Sequence, residues 1–291
     1  MSTASIETAE KVRAIGREIL PAVMPSQAIY QGQHETEPYA GVQVTRDAKY
    51  GPHERRRLDV FAADGASGKR PIFIFVHGGG FVMGDKRANP SSPYLDNVAL
   101  WAARHGLVGI NITYRLAPEF QFPSGAEDLA AAVAWAREHA SEFGGDPERI
   151  FVTGTSAGAV HVADFIAQPQ FQGGHAGVKG AILLSGIYDV TWGGAPPAPA
   201  YYGEDASRWD SMSSLPGLLE SDIPIMFVVT EFDPEPFERQ ALRVLEQWGE
   251  RHGSWPFFLR LMGHNHLTST FHLNTDDDYL GVQMLRFMGG A

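Results

Sequence analysis

The chain has 291 residues, no cysteine and a formal net charge of −11. The lack of cysteine excludes disulfides, a thiolate nucleophile, thiolate zinc sites and iron–sulfur clusters, and the acidic balance argues against nucleic-acid binding. Hydrophobic residues at 44% and charged residues at 20% describe an ordinary globular protein able to bury a sizeable core.

Residues 5–20 set Ala9, Val12, Ile15 and Ile19 at helical spacing, and Pro21 is expected to end that helix. Glu7, Glu10 and Glu18 interrupt this stretch, so it reads as neither a secretory signal nor a transit peptide, and a cytoplasmic protein is expected. Residues 21–40, rich in Pro, Gln and Gly, read as an irregular cover. No apolar run reaches about 18 residues, so no membrane association is expected.

Runs of strand character follow at 41–46, 57–62, 71–76, 107–113, 149–153, 179–184, 224–230 and 256–262. Helical patterns fall at about 125–140, with Leu129, Val133 and Trp135 inward, and at 157–167. Two more fall at 235–251, with Phe237, Ala241, Val244 and Trp248 on one face, and at 278–289, with Asp276, Asp277 and Asp278 as candidate caps. This alternation predicts an α/β fold, a mostly parallel eight-stranded sheet flanked by helices. The short join between the first two strands predicts an antiparallel edge. Residues 186–222 break the alternation with Trp192, Gly193, Gly194, Tyr201, Tyr202, Trp209 and four prolines between 196 and 216. They read as an insertion over the sheet's C-terminal edge, forming a small cap with residues 1–40. Residues 1–291 read as one domain.

Four segments carry chemistry. The first is GTSAG at 154–158, where a strand ends, Ser156 follows and a helix begins. A serine on such a turn is pushed out above the sheet, and the flanking glycines keep the turn free of crowding. The second is HGGGF at 77–81, whose consecutive glycines leave backbone N–H groups free to face an oxyanion. The third is Asp233 after the seventh strand, with Glu231 and Glu235 as competitors. The fourth is GHNHL at 263–267, which offers His264 and His266 as the base that completes the order Ser, Asp, His. No other His or carboxylate stands at recognisable ligand spacing near these histidines, so neither a metal nor a cofactor is expected. No phosphate-binding glycine motif follows a strand.

In HGGGF with Gly84-Asp85, YRLAPE at 114–119, Phe122-Pro123, Asp128, Trp135, GTSAG, EFDP and GHNH, the chain resembles the hormone-sensitive-lipase-like branch of the α/β-hydrolases from about residue 55 onward. The resemblance implies a carboxylesterase with Ser156 as nucleophile, Asp233 as acid and His266 as base. His266 is preferred because it stands three residues after Gly263 and just before Leu267. It also implies an oxyanion hole from the N–H groups of Gly79, Gly80 and Ala157, with Gly78 as the alternative to one of these, and a shape-holding role for His77. It implies the same cap. Thr155 stands where the family has Asp, and Pro234-Glu235-Pro236-Phe237 replaces the family's Leu and second acid.

The expected reaction is hydrolysis of small or short-acyl carboxylic esters through an acyl-serine, because the insertion is too short for an interfacial lipase lid. Phe81, Trp192, Tyr201 and Tyr202 are candidates for the substrate pocket, with plain packing of an aromatic cap as the alternative. The rival readings are an amidase or formamidase with the same triad, and a non-catalytic receptor-like member. The partner expected is a small-molecule ester, and a homodimer is left open.

Overall fold

The computed structural model describes residues 6–65, 68–192 and 198–290. The eight runs read as strands form the eight strands of one sheet: β1 (Val42–Lys49), β2 (Arg57–Ala63), β3 (Arg70–Val76), β4 (Val108–Ile112), β5 (Gly145–Thr155), β6 (Val178–Leu184), β7 (Ile225–Phe232) and β8 (Phe257–Asn265). Their order is β1-β2-β4-β3-β5-β6-β7-β8. β2 pairs antiparallel with β1 and β4, and every other pairing is parallel.

The segment PIFIFV in β3 shows how the sheet makes two cores. Alternate side chains point to opposite faces. Ile72, Ile74 and Val76 join one cluster, and Phe73 and Phe75 join the other.

At the N-terminus the structure departs from expectation. Two helices replace one, α1 (Ile6–Ile15) and α2 (Ile19–Tyr30). Pro21 does not stop a helix but lies in the first turn of α2, where a backbone N–H has no intrahelical acceptor to lose. The break falls instead at Gly16, at φ +88°. Residues 21–30 are therefore helical rather than irregular.

A further helix, α3 (Asp96–Arg104), joins β3 to β4. Asp96 through Ala103 are all buried.

The remaining helices are α4 (Ser124–His139), α5 (Ala157–Ala167), α6 (Pro199–Tyr202), α7 (Leu215–Leu219), α8 (Glu235–His252), α9 (Thr268–Phe271) and α10 (Tyr279–Gly290). Leu129 and Val133 of α4, Phe165 of α5 and Val244 of α8 cover the face of Ile72 and Ile74. Trp101 of α3 with Leu280 and Met284 of α10 covers the face of Phe73 and Phe75. Trp135 and Trp248 lie at the margin of the first cluster, half-buried.

The insertion 186–222 holds α6, α7 and two short 3-10 turns. Gly193, Gly194, Pro196 and Pro197, which helped mark it in the sequence, lie outside the described residues. Leu215 and Leu218 of α7 pack into the first core, and Tyr201 and Tyr202 of α6 pack with Ala117 and Val160. No described helix is long and apolar enough to cross a membrane.

Candidate active site

The loops after β3, β5, β6, β7 and β8 leave the sheet at one edge, because these strands run parallel. Ser156 follows β5 and precedes α5. Its backbone sits at φ 55°, ψ −123°, a conformation L-residues seldom adopt and one that persists only where its surroundings enforce it. The enforcement is visible. Ser156 N–H donates to the Leu184 carbonyl at 2.9 Å, and its own carbonyl accepts from Ala159 and Val160 as α5 begins. Between Phe151 and Ile166, Ser156 alone is not fully buried.

The glycines around it are required by close backbone approach. A Cβ on Gly154 would lie 2.2 Å from the Gly158 carbonyl oxygen, and one on Gly158 would lie 2.1 Å from that of Val76. The second contact joins the elbow to the end of β3, where the HGGG loop starts. A Cβ on Gly78 would lie 3.1 Å from Ser156 Cβ, so the glycine loop runs directly beside the serine. Gly79 (φ 129°) and Gly80 (φ 58°) adopt conformations that favour glycine. Among the described residues, no hydrogen bond is donated by the N–H of Gly79, Gly80 or Ala157.

The loop is braced from behind. His77 Nδ1 lies 2.6 Å from the Gly78 carbonyl oxygen, and the His77 ring stacks on Tyr114 at 4.3 Å. The Tyr114 hydroxyl donates to the His77 carbonyl. Burial pushes the His77 imidazole down to about 4, so it is neutral at pH 7. The YRLAPE segment also contributes Arg115, whose Nε and backbone N–H both donate to Asp128, while Arg56 donates to the same carboxylate. Asp128 is thus a buried anchor tying α4 to the approaches of β2 and the loop after β4.

On the other side of Ser156, Asp233 follows β7 and is fully buried. Its carboxylate accepts from Ser185 Oγ at 2.6 Å and Thr230 N–H at 2.7 Å, and meets His266 Nδ1 at 2.7 Å. An ionised carboxylate can only accept, so the imidazole proton belongs on Nδ1 and the lone pair on Nε2. His266 Nε2 is buried without a hydrogen-bond partner. The strand register connects this pair to the serine: Leu184 accepts from Ser156, and the next residue, Ser185, donates to Asp233. Of the competing acids, Glu231 accepts from Gly263 N–H, and Glu235 opens α8 exposed. Of the two histidines, His264 turns elsewhere, with Nε2 3.1 Å from Asp277.

Three groups in this site had no sequence signal. Ser185 stands at φ 50° at the end of β6, in no motif. Arg17, between α1 and α2, donates to the carbonyls of Asp233 and Glu231. Phe237, anticipated only as a packing residue of α8, lays its ring 4.4 Å from that of His266, so the atypical Pro-Glu-Pro-Phe segment ends in a contact with the imidazole.

The pocket candidates divide. Phe81 stacks on Tyr201 at 4.3 Å and meets Tyr202 edge-on at 5.8 Å. Both tyrosines are buried and form one aromatic cluster beside the glycine loop. Trp192 is not in it. Its ring lies under the Arg243 guanidinium, and its carbonyl accepts from Gln240 on α8. Two open cavities of about 460 and 480 Å³ lie elsewhere, one bounded by Trp248 and Trp255 and one between α1 and the end of β8. Neither is lined by Ser156.

Residues 73–212 match the family model described as the alpha/beta hydrolase fold. The chain has the α/β-hydrolase fold. It is 34% identical over 158 residues to esterase LipQ of Mycobacterium tuberculosis, a match covering 50% of this chain and 36% of that one. It is 29% identical over 196 residues to the versiconal hemiacetal acetate esterase of Dothistroma septosporum, covering 65% and 55%. The matches thus span about a third to a half of these relatives' lengths. Among solved structures, esterase B from Lactobacillus rhamnosis superposes with a TM-score of 0.74 at 16% identity, covering 98% of this chain and 96% of that one. A bacterial heroin esterase gives 0.69 at 21%, covering 99% and 98%. At such identities these two establish the fold.

Proposed function

We propose that the protein is a serine carboxylic-ester hydrolase. The observation that carries this reading is the His266 imidazole, fixed by a buried carboxylate on Nδ1 and left with a buried, unpartnered Nε2 at the sheet edge where Ser156 sits. Several relatives are themselves named esterases, which supports the same reaction class.

In this reading Ser156 Oγ attacks the ester carbonyl and His266 Nε2 takes its proton. Asp233 keeps the imidazole in the right tautomer and stabilises the imidazolium. The N–H groups of Gly79, Gly80 and Ala157 receive the tetrahedral oxyanion, aided by the positive end of α5. His266 then protonates the leaving alcohol, and water releases the acyl group by the same route. The aromatic cluster of Phe81, Tyr201 and Tyr202 and the short insertion suit small or short-acyl esters. The segments 1–40 and 186–222 are the proposed cap. The protein works on its substrate in the cytoplasm, which cell fractionation tests, and sedimentation tests for a homodimer.

The reading is tested with p-nitrophenyl esters of increasing acyl length and a fluorophosphonate probe. Hydrolysis fastest on the short esters and covalent labelling at Ser156 are expected. A folded protein that neither turns over these esters nor takes the label contradicts the proposal.

A further inference from the structure

Behind the candidate active site, at the far end of the segment that carries His266, three side chains converge. His264 comes from the end of β8, His272 follows α9, and Asp277 precedes α10. They are 1%, 0% and 7% exposed. One ligand atom from each lies within 4.8 Å of the other two. No ligand set is legible near His264 in the sequence, because intervals of seven and four residues between these side chains match no familiar metal motif. The turn of α9 and the following loop bring them together.

We propose that His264, His272 and Asp277 form a divalent-cation site of zinc type that fastens the His266 segment to the start of α10. Four features support it. First, His272 Nδ1 lies 2.6 Å from the Thr268 carbonyl oxygen. A carbonyl only accepts, so this nitrogen carries the proton and Nε2 keeps its lone pair. That is the outer contact which fixes the tautomer of metal-bound histidines. Second, His272 Nε2 is buried without a hydrogen-bond partner, although buried polar groups are nearly always satisfied.

Third, His264 Nε2 and Asp277 Oδ2 stand 3.1 Å apart. Two ligand atoms at about 2.1 Å from one tetrahedral zinc are separated by about 3.4 Å, so the spacing is close to that of neighbours on an ion. Fourth, the donors suit zinc: two imidazoles and one carboxylate, with no sulfur and too few oxygens for calcium. Tyr30 and His34 border the cluster, and each carries a buried polar atom without a partner.

The test is a zinc titration of chelator-treated protein, followed by calorimetry, metal analysis and the melting temperature. One zinc per chain is expected, with a raised Tm, because an ion that binds only the folded state stabilises it by mass action. Asp277→Asn and His272→Gln should each weaken binding at least about tenfold, whereas His252→Gln, an exposed histidine, should leave it unchanged. Stoichiometric zinc that persists at the same affinity in both site variants overturns the proposal. Should the variants fail to fold, the wild-type protein decides: no saturable one-to-one binding, or binding without a change in Tm, overturns it. None of these readouts depends on hydrolase activity.

Discussion

The two sides of Ser156 are built in different ways. On the glycine side, the loop 77–81 and the elbow 154–158 are located by backbone contacts, in places too tight for any Cβ. On the acid–base side, Asp233 and His266 are located by side-chain hydrogen bonds from Ser185, from Thr230 N–H and between themselves. In the proposed mechanism the difference has a chemical reason. An oxyanion needs fixed N–H dipoles that do not reorganise during the reaction, and packed backbone supplies them. A proton shuttle needs a defined tautomer, and a hydrogen-bonded carboxylate selects it.

Substitutions can break each side separately. Ser156→Ala should have the largest effect, lowering kcat on p-nitrophenyl acetate by about 10⁴–10⁶ with the fold intact. Retention of most activity would remove the serine from the mechanism. Asp233→Asn should cost about 10⁴ by presenting the wrong tautomer to the hydroxyl. A loss below about tenfold would move the acid role to Glu231. Gly79→Ala attacks the other side: its Cβ would lie 2.0 Å from the Met83 carbonyl oxygen at a φ of 129°, so the loop must shift. We expect kcat to fall by about 10²–10³, the range for one lost oxyanion donor, with covalent labelling of Ser156 slowed in parallel. Unaltered kcat in a folded Gly79→Ala protein would show that this N–H faces no oxyanion.

The same contrast explains what the sequence made readable. Glycine-dependent backbone turns leave a local signature, so GTSAG and HGGGF stand out in one chain without help. The strands were readable because the parallel core demands apolar runs such as PIFIFV. Ser185 was not, since a single serine at a strand end has no pattern until β6 lies next to β7. His272 and Asp277 were hidden for the same reason: their meeting depends on the turn of α9. Pro21 misled because proline reads as a stop, while the first turn of a helix tolerates it.

Ser185→Ala tests the acid–base side more gently. It removes one donor from the Asp233 carboxylate and leaves Thr230 N–H in place. A hydrogen bond to a charged group is worth roughly 1.5–3 kcal/mol, but only part of that reaches the reacting proton. We expect kcat to fall about tenfold, with KM little changed. A fall as large as that of Asp233→Asn would make Ser185 an equal partner in orienting the imidazole.

The smallest effect is on stability, and it belongs to the glycine side. Burial pushes His77 down to about 4 and His161, beside it behind the loop, down to about 3. Both are therefore neutral when folded, whereas an unfolded chain takes up their protons near pH 6.5. The unfolded state binds more protons as pH falls below about 6.5, so the stabilisation present at neutral pH is lost progressively towards pH 4 and below. Between pH 7.5 and 5.5 each histidine should remove on the order of 1 kcal/mol, readable as a falling urea midpoint at constant slope. Burial also holds Asp164 well above the usual carboxylate range, which opposes this change, and holds His34 and His272 down, which adds to it, so the share of His77 and His161 is read against His77→Gln and His161→Gln. A pH dependence from 7.5 to 5.5 that is the same in wild type, His77→Gln and His161→Gln would mean that these imidazoles are protonated or solvated in the fold, and that the brace behind the glycine loop is not the neutral, dry packing described above.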